Sequence, residues 1–267
     1  MNINATAYLS AYSEVFHRGD IIVPRGQECL EVCDYKLKLD MNHSVLTSFD
    51  ARKLNLDYAK QEFLWYLRGD RFDTSIEQHA TMWAKLQQAD GGYNSNYGQY
   101  IFPNQFDFVV SELANDEWSR RASIVLLNES HLYSANTDVV CTYGMNFRIR
   151  QGVLDMTVMM RSNDVIFGLT NDAFCFTMIY RMVLACLKGG PYPGLKPGTY
   201  THIANSLHVY ERHFRMIEDI LDDGLPGYRE IPMYWPSMSE VLDAFKLGRT
   251  AGLLETDNEF IKWLSAT

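Results

Sequence analysis

Positive charge is scarce in this chain of 267 residues. It has 24 Lys and Arg against 33 Asp and Glu, a formal net charge of −9. Such a chain is a poor binder of phosphate backbones, so direct contact with nucleic acid is not expected, and any anionic ligand must be held by a local cluster of arginines. Cysteine is sparse too. Cys29, Cys33, Cys141, Cys175 and Cys186 are an odd number without zinc-type spacing, which predicts reduced thiols and no metal. The start, Met1-Asn2-Ile3-Asn4, lacks the basic residues and apolar core of a secretory signal, so a cytoplasmic location is expected. The most apolar stretch, 165–187, contains Asn171, Asp172 and Arg181, which are costly in lipid, so no membrane span is expected. Repeats and long polar linkers are missing as well, and residues 1–267 read as a single domain.

What is present is a globular composition, 47% apolar and 21% charged, enough for a sizeable core without disulfide staples. An apolar stripe over 56–67 predicts a helix, and Thr74 with Glu77 forms a capping-box pattern ahead of a second helix over 76–86. The same pattern, Ser237 with Glu240 and Thr256 with Glu259, predicts two short C-terminal helices. Residues 174–187 are apolar nearly all round, as in a helix at the centre of a core. Between 139 and 161 the period falls to two. Val139, Cys141, Tyr143, Met145, Phe147 and Ile149 share one strand face, Gln151-Gly152 turn the chain, and Leu154, Met156, Val158 and Met160 continue on a second strand. Strands and helices do not alternate regularly, which predicts an α+β fold with a sheet covered by helices.

Single residues say little about chemistry. Cys141 on an apolar strand face reads as a core thiol. Glu62, flanked by Phe63, Leu64 and Trp65, reads as a solvated helix glutamate or, if buried beside the aromatics, as an acid suited to proton transfer. Arg120-Arg121 is an ordinary surface pair and Arg25 a loop arginine, while Arg161-Ser162 after a strand fits a salt bridge or a phosphate cradle. His208 and His213 are wrongly spaced for a helical metal pair.

Order and spacing say more. Glu62 to Gly69 resembles the E-L-x-W-F-x-x-G helix of thymidylate synthases. Trp83 follows, then Asn96-Tyr97-Gly98-Gln99, similar to that family's V-Y-G-x-Q, and Ser119-Arg120-Arg121, similar to its S-R-R. Cys141 stands where the nucleophile belongs, with Arg161-Ser162-Asn163-Asp164-Val165-Ile166-Phe167-Gly168-Leu169 twenty residues on, resembling R-S-x-D-x-x-L-G-L. His208-Val209-Tyr210 corresponds to H-x-Y, and Arg25 precedes Glu62 by the spacing of the family's N-terminal phosphate arginine. The resemblance runs from Arg25 to Tyr210.

It implies a thymidylate synthase-like mixed sheet, one face of which pairs subunits into a homodimer with shared active sites. It also implies a pyrimidine nucleoside monophosphate as substrate and 5,10-methylenetetrahydrofolate as co-substrate. Cys141 would be the nucleophile and Glu62 the proton-transfer group. Arg25, Arg161 and Ser162 would hold the phosphate, with Arg120 and Arg121 reaching over from the second subunit. His208 and Tyr210 would meet the sugar hydroxyl, and Trp83, Tyr97 and Asp164, with Glu62, the folate. The departures matter equally. Asp172 stands where synthases place the pyrimidine-reading Asn, the pattern of the family's phage deoxycytidylate hydroxymethylases. A carboxylate accepts from the cytosine N4 amino group and shares a proton with N3, but faces uracil O4 acceptor to acceptor unless protonated. Leu86 replaces a Trp, Thr142 a His, and the C-terminal part around Trp263 does not resemble the usual closing tail. These changes predict that water, not hydride, quenches the exocyclic methylene. A uracil-specific enzyme, an enzyme acting on the ribonucleotide and an inactive nucleotide-binding homologue are the alternatives.

Overall fold

The computed structural model describes residues 3–133, 135–248 and 256–266. The chain opens with α1 (Ile3–Arg18), β1 (Asp20–Ile22), β2 (Cys29–Asp40), β3 (Leu46–Phe49) and α2 (Leu56–Arg68). After a long stretch of turns come α3 (Gly98–Tyr100), α4 (Phe106–Asn115) and β4 (Ser123–Val125). The middle holds β5 (Thr142–Arg150), β6 (Val153–Met160), β7 (Asn163–Asp164), α5 (Gly168–Gly189) and β8 (Lys196–Tyr210). The chain finishes with α6 (Phe214–Asp223), β9 (Tyr228–Ile231), α7 (Met238–Gly248) and α8 (Glu259–Ser265). The main sheet runs β1-β2-β8-β6-β5-β4, with β7 also on β8, and β3 pairs separately with β9. β8 is parallel to β6 and β7, while the other pairings are antiparallel, so the sheet is mixed as expected.

Hydrophobic patterning explains the layers. Leu154, Met156, Val158 and Met160 of β6 are buried, while Val153, Asp155, Thr157 and Met159 face the other way and are partly or fully exposed. Against the buried face lies α5, buried on all sides from Ala173 to Leu187. At the β5–β6 hairpin, Gln151 and Gly152 both take positive φ, 53° and 71°, the geometry of a two-residue hairpin turn. Asn55 caps α2 by accepting from the Tyr58 backbone, and Gly69 ends it in the left-handed region.

Three local expectations fail for identifiable reasons. Residues 76–86 form two separate 3-10 turns, 75–78 and 83–85, not one helix. Thr74 makes no side-chain cap, and Glu77 is spent on the Tyr93 hydroxyl. In the last helix Asn258, not Thr256, is the cap, accepting from Ile261; the Ser237–Glu240 box forms as expected. Finally, β5 begins only at Thr142, and an irregularity between Thr142 and Gly144 reverses the alternation. Thr142 is therefore wholly buried, Tyr143 points outward, and Cys141 leaves the core face for a half-buried position ahead of the strand.

Candidate active site

The bulge frees Cys141, and Arg161 meets it. Arg161 Nη2 donates to Cys141 Sγ at 3.3 Å and to the Val139 carbonyl at 2.7 Å. Its Nε donates to the Val140 carbonyl at 3.0 Å, and the Arg161 backbone N–H to the Cys141 carbonyl at 2.8 Å. These bonds fix the guanidinium, and among the described residues no carboxylate pairs with it, which leaves Nη1 for an anion. Arg25 sits at the tip of the β1–β2 connection with φ 53°, and its charge, like that of Arg161, favours the Cys141 thiolate. Burial outweighs both and pushes the thiol up. The free protein thus keeps the thiol protonated, and Arg161 reduces that bias without reversing it.

Two carboxyls lie near the thiol, with Asp172 acting electrostatically on both Cys141 and Glu62. Asp172, in the first turns of α5, accepts from Asn163 Nδ2 at 2.6 Å, and burial pushes its pKa up to about 7. Glu62, buried on α2, is pushed up to about 8 by burial and then by the Asp172 charge. Tyr66 donates to Glu62 Oε1 at 3.4 Å, Tyr58 bonds to it as well, and Trp83 Nε1 donates to the Tyr58 hydroxyl at 3.1 Å. Positions 58, 62 and 66 are one helical turn apart, so a single α2 face carries the acid and both its phenols. Tyr97 is within range of both Cys141 and Asp172, and its hydroxyl accepts from Thr142 Oγ1 at 3.1 Å. Gly98 makes this approach possible, because a Cβ there would lie 1.6 Å from the Tyr66 carbonyl oxygen.

His208 and Tyr210 lie at the end of β8. His208 is buried with Nδ1 unpartnered, burial lowers its pKa, and Tyr210 packs edge-on to it at 5.1 Å. Asp164 pairs with His208 in the β7–β8 register, and its Oδ1 accepts from the Ile166 and Phe167 backbones, each at 2.8 Å. Ser162 lies between Arg161 and Asn163, partly exposed. Trp83 reaches the site only through Tyr58, since its ring is buried against Trp65 at 4.9 Å and Tyr93 at 6.1 Å. Arg120 and Arg121 are exposed between α4 and β4, outside this cluster, and Arg121 is held by Glu112 through two 2.9 Å bonds. Asn163, Tyr58 and Tyr66 were not foreseen. The tyrosines stand four residues either side of Glu62, a readable signal, whereas Asn163 fills a variable motif position. Among the described residues no group of His, Cys, Asp and Glu could hold a metal, and no helix is long and apolar enough to cross a membrane.

The thymidylate synthase family model matches residues 6–238. The chain belongs to the thymidylate synthase family. That is a family of one-carbon transferases that act on pyrimidine nucleoside monophosphates with methylenetetrahydrofolate as co-substrate. Among its relatives, the deoxycytidylate 5-hydroxymethyltransferase of Enterobacteria phage T6 is 31% identical over 175 residues, covering 62% of this chain and 71% of the phage protein. The deoxyuridylate hydroxymethyltransferase of Bacillus phage SP01 is 27% identical over 236 residues, covering 80% of this chain and 59% of that protein. Thymidylate synthase A of Bacillus subtilis shares the fold, with a TM-score of 0.67 at 21% identity, covering 82% of this chain and 84% of that one.

Proposed function

We propose that this chain is a deoxycytidylate 5-hydroxymethyltransferase, forming 5-hydroxymethyl-dCMP and tetrahydrofolate from dCMP, methylenetetrahydrofolate and water. The observation that carries the reading is Asp172, bound by Asn163 and poised near neutrality by burial. In its protonated form it donates to cytosine N3 while its other oxygen accepts from N4–H, which draws electrons from the ring. Cys141 then adds through sulfur to C6, its proton leaving to water or base, and C5 becomes a carbon nucleophile. C5 bonds to the methylene of the donor, and the C5 proton departs with help from Glu62, which burial suits to proton transfer. The donor nitrogen leaves, water adds to the exocyclic methylene, and the Cys141–C6 bond breaks to restore the ring.

Orphaned buried atoms around the cluster, His208 Nδ1, Asn163 Oδ1 and Asn171 Oδ1, fit a ligand that brings its own polar groups. Arg25, Arg161 and Ser162 would hold the phosphate, His208 and Tyr210 the sugar, and Tyr97 and Asp164 the folate, with Trp83 acting through Tyr58 and Glu62. Residues 1–267 would work as one catalytic domain, in the cytoplasm and as a homodimer. Arg120 and Arg121 would then serve the partner's phosphate, provided Glu112 shares its arginine.

The test is mass spectrometry of the products formed from dCMP or dUMP with methylenetetrahydrofolate. A dCMP product heavier by one CH2O unit, with tetrahydrofolate released, supports the reading. Turnover of dUMP alone would assign a uracil enzyme, and dihydrofolate in step with nucleotide consumed would show hydride transfer.

A further inference from the structure

Outside the catalytic cluster, a cavity of about 450 Å³ opens between the second half of α5, the start of β8 and the loop leading into α7. Arg181, Lys188, Pro197, Trp235, Ser237 and Met238 are among its walls. Arg181 is only 2% exposed. Its Nη1 donates to the Tyr234 carbonyl at 3.1 Å, its Cζ lies 3.7 Å from the centre of the Trp235 ring, and its Nε is buried with no partner. Among the described residues no carboxylate forms an ion pair with it. Glu240, the acid in the first turn of α7, is already engaged by Ser237 and Tyr234.

A buried guanidinium with one carbonyl partner and no counter-ion is destabilising, since burial disfavours the charge and nothing opposite compensates it. Burial accordingly lowers the Arg181 pKa to about 9. An apolar side chain of similar size would fill the same space without that cost, and the surrounding walls are mainly apolar. Lys188, exposed at the same cavity, adds a second positive charge, and the cavity lining contains no acidic residue. Gly189 is required here as well, because a Cβ would lie 2.7 Å from Met238.

We propose that this cavity binds a small organic anion, a carboxylate on an apolar or aromatic body. The carboxylate pairs with the Arg181 guanidinium where it lines the cavity, Lys188 adds long-range attraction, and the body lies against Trp235 and Met238. Fork-to-fork pairing of this kind supplies the buried guanidinium with its missing charge partner. The site is separate from the candidate nucleotide site, nine residues further along α5 than Asp172, and does not depend on which base the enzyme prefers.

Isothermal titration of the whole protein with benzoate, and separately with inorganic phosphate, tests this, each with and without saturating dCMP. Expected is a single benzoate site that dCMP leaves unchanged and that exceeds phosphate in affinity. Arg181→Met should weaken it at least about tenfold, through loss of a charge-assisted pair. Lys188→Ala, at an exposed position that folding tolerates, should weaken it about threefold with loss of a screened charge. No benzoate binding at millimolar concentration, displacement by dCMP, phosphate binding as tightly as benzoate, or unchanged affinity in both variants would overturn the proposal.

Discussion

The cation side and the carboxyl side of the candidate site solve opposite electrostatic problems. On one, backbone carbonyls of Val139 and Val140 hold the Arg161 guanidinium, and among the described residues no acid forms an ion pair with it. On the other, Glu62 and Asp172 are surrounded by phenols, an amide and apolar groups, and burial moves both pKa values to about 8 and about 7. A cation fixed by dipoles stays available to an incoming anion, whereas a carboxyl deprived of solvent becomes a proton reservoir near neutral pH. In the proposed reaction the contrast would separate binding from proton handling. Arg121 differs from both, since its bidentate partner Glu112 already satisfies it.

The largest expected effect tests the junction of the two sides. Cys141→Ser should lower kcat by at least about a thousandfold, because a hydroxyl adds to the ring far more poorly than a thiol. Nucleotide binding, measured by titration, should survive, since Arg161 keeps its two carbonyl partners. Substantial turnover in that variant would return Cys141 to a structural role.

The Arg121 contrast predicts the next effect. If the arginine pair serves a neighbouring subunit, mixing inactive Arg121→Ala with inactive Cys141→Ser under exchange conditions should restore part of the activity, since some sites regain both groups. A monomer by light scattering, or no recovery in a stable dimer, removes the shared-site reading.

Asn163 sharpens the account of the carboxyl side. Asn163→Ala should lower kcat/KM for dCMP about tenfold, the scale of one lost hydrogen bond to an ionisable group. It should also shift the alkaline limb of the pH profile upward, because losing the amide raises the Asp172 pKa and the protonated form is the one that donates to N3. A change in activity without a shift in the profile would make Asn163 a packing residue only.

The smallest effect is on stability. A carboxyl raised from 3.8 to about 7 binds more protons folded than unfolded over that interval. Its favourable contribution is therefore complete below pH 3.8 and is lost as the pH rises through about 7. Asp172→Asn removes the penalty, so it should raise Tm by a few degrees at about pH 8 and by less at about pH 5. An equal change at both pH values would contradict the raised pKa.

The sequence made some of this legible, and the failures share a cause. The α2 stripe, the buried α5 and the Gln151-Gly152 turn were readable because periodicity and turn chemistry are local. The missing helix over 76–86 was not, since Glu77 is claimed by Tyr93, sixteen residues away. The exit of Cys141 from the core face depends on a bulge set by β6 and β4, which the alternating pattern of one strand does not reveal. Ordered motifs named most of the cluster, but the proton state of Glu62 and Asp172 comes from burial, which needs the packed fold. The tie between Arg121 and Glu112 is likewise tertiary, joining α4 to the segment before β4.

The central claim is that Asp172 reads the base. It is tested most directly by the ratio of kcat/KM for dCMP to that for dUMP, measured side by side in the wild-type protein and in Asp172→Asn. An amide donates to O4 and accepts from N3–H, the reverse of what cytosine needs, and buried mismatches of this kind are penalised by about a hundredfold or more. The account predicts a wild-type ratio well above one that falls by at least that factor in the variant. A ratio that is the same in both proteins would contradict it.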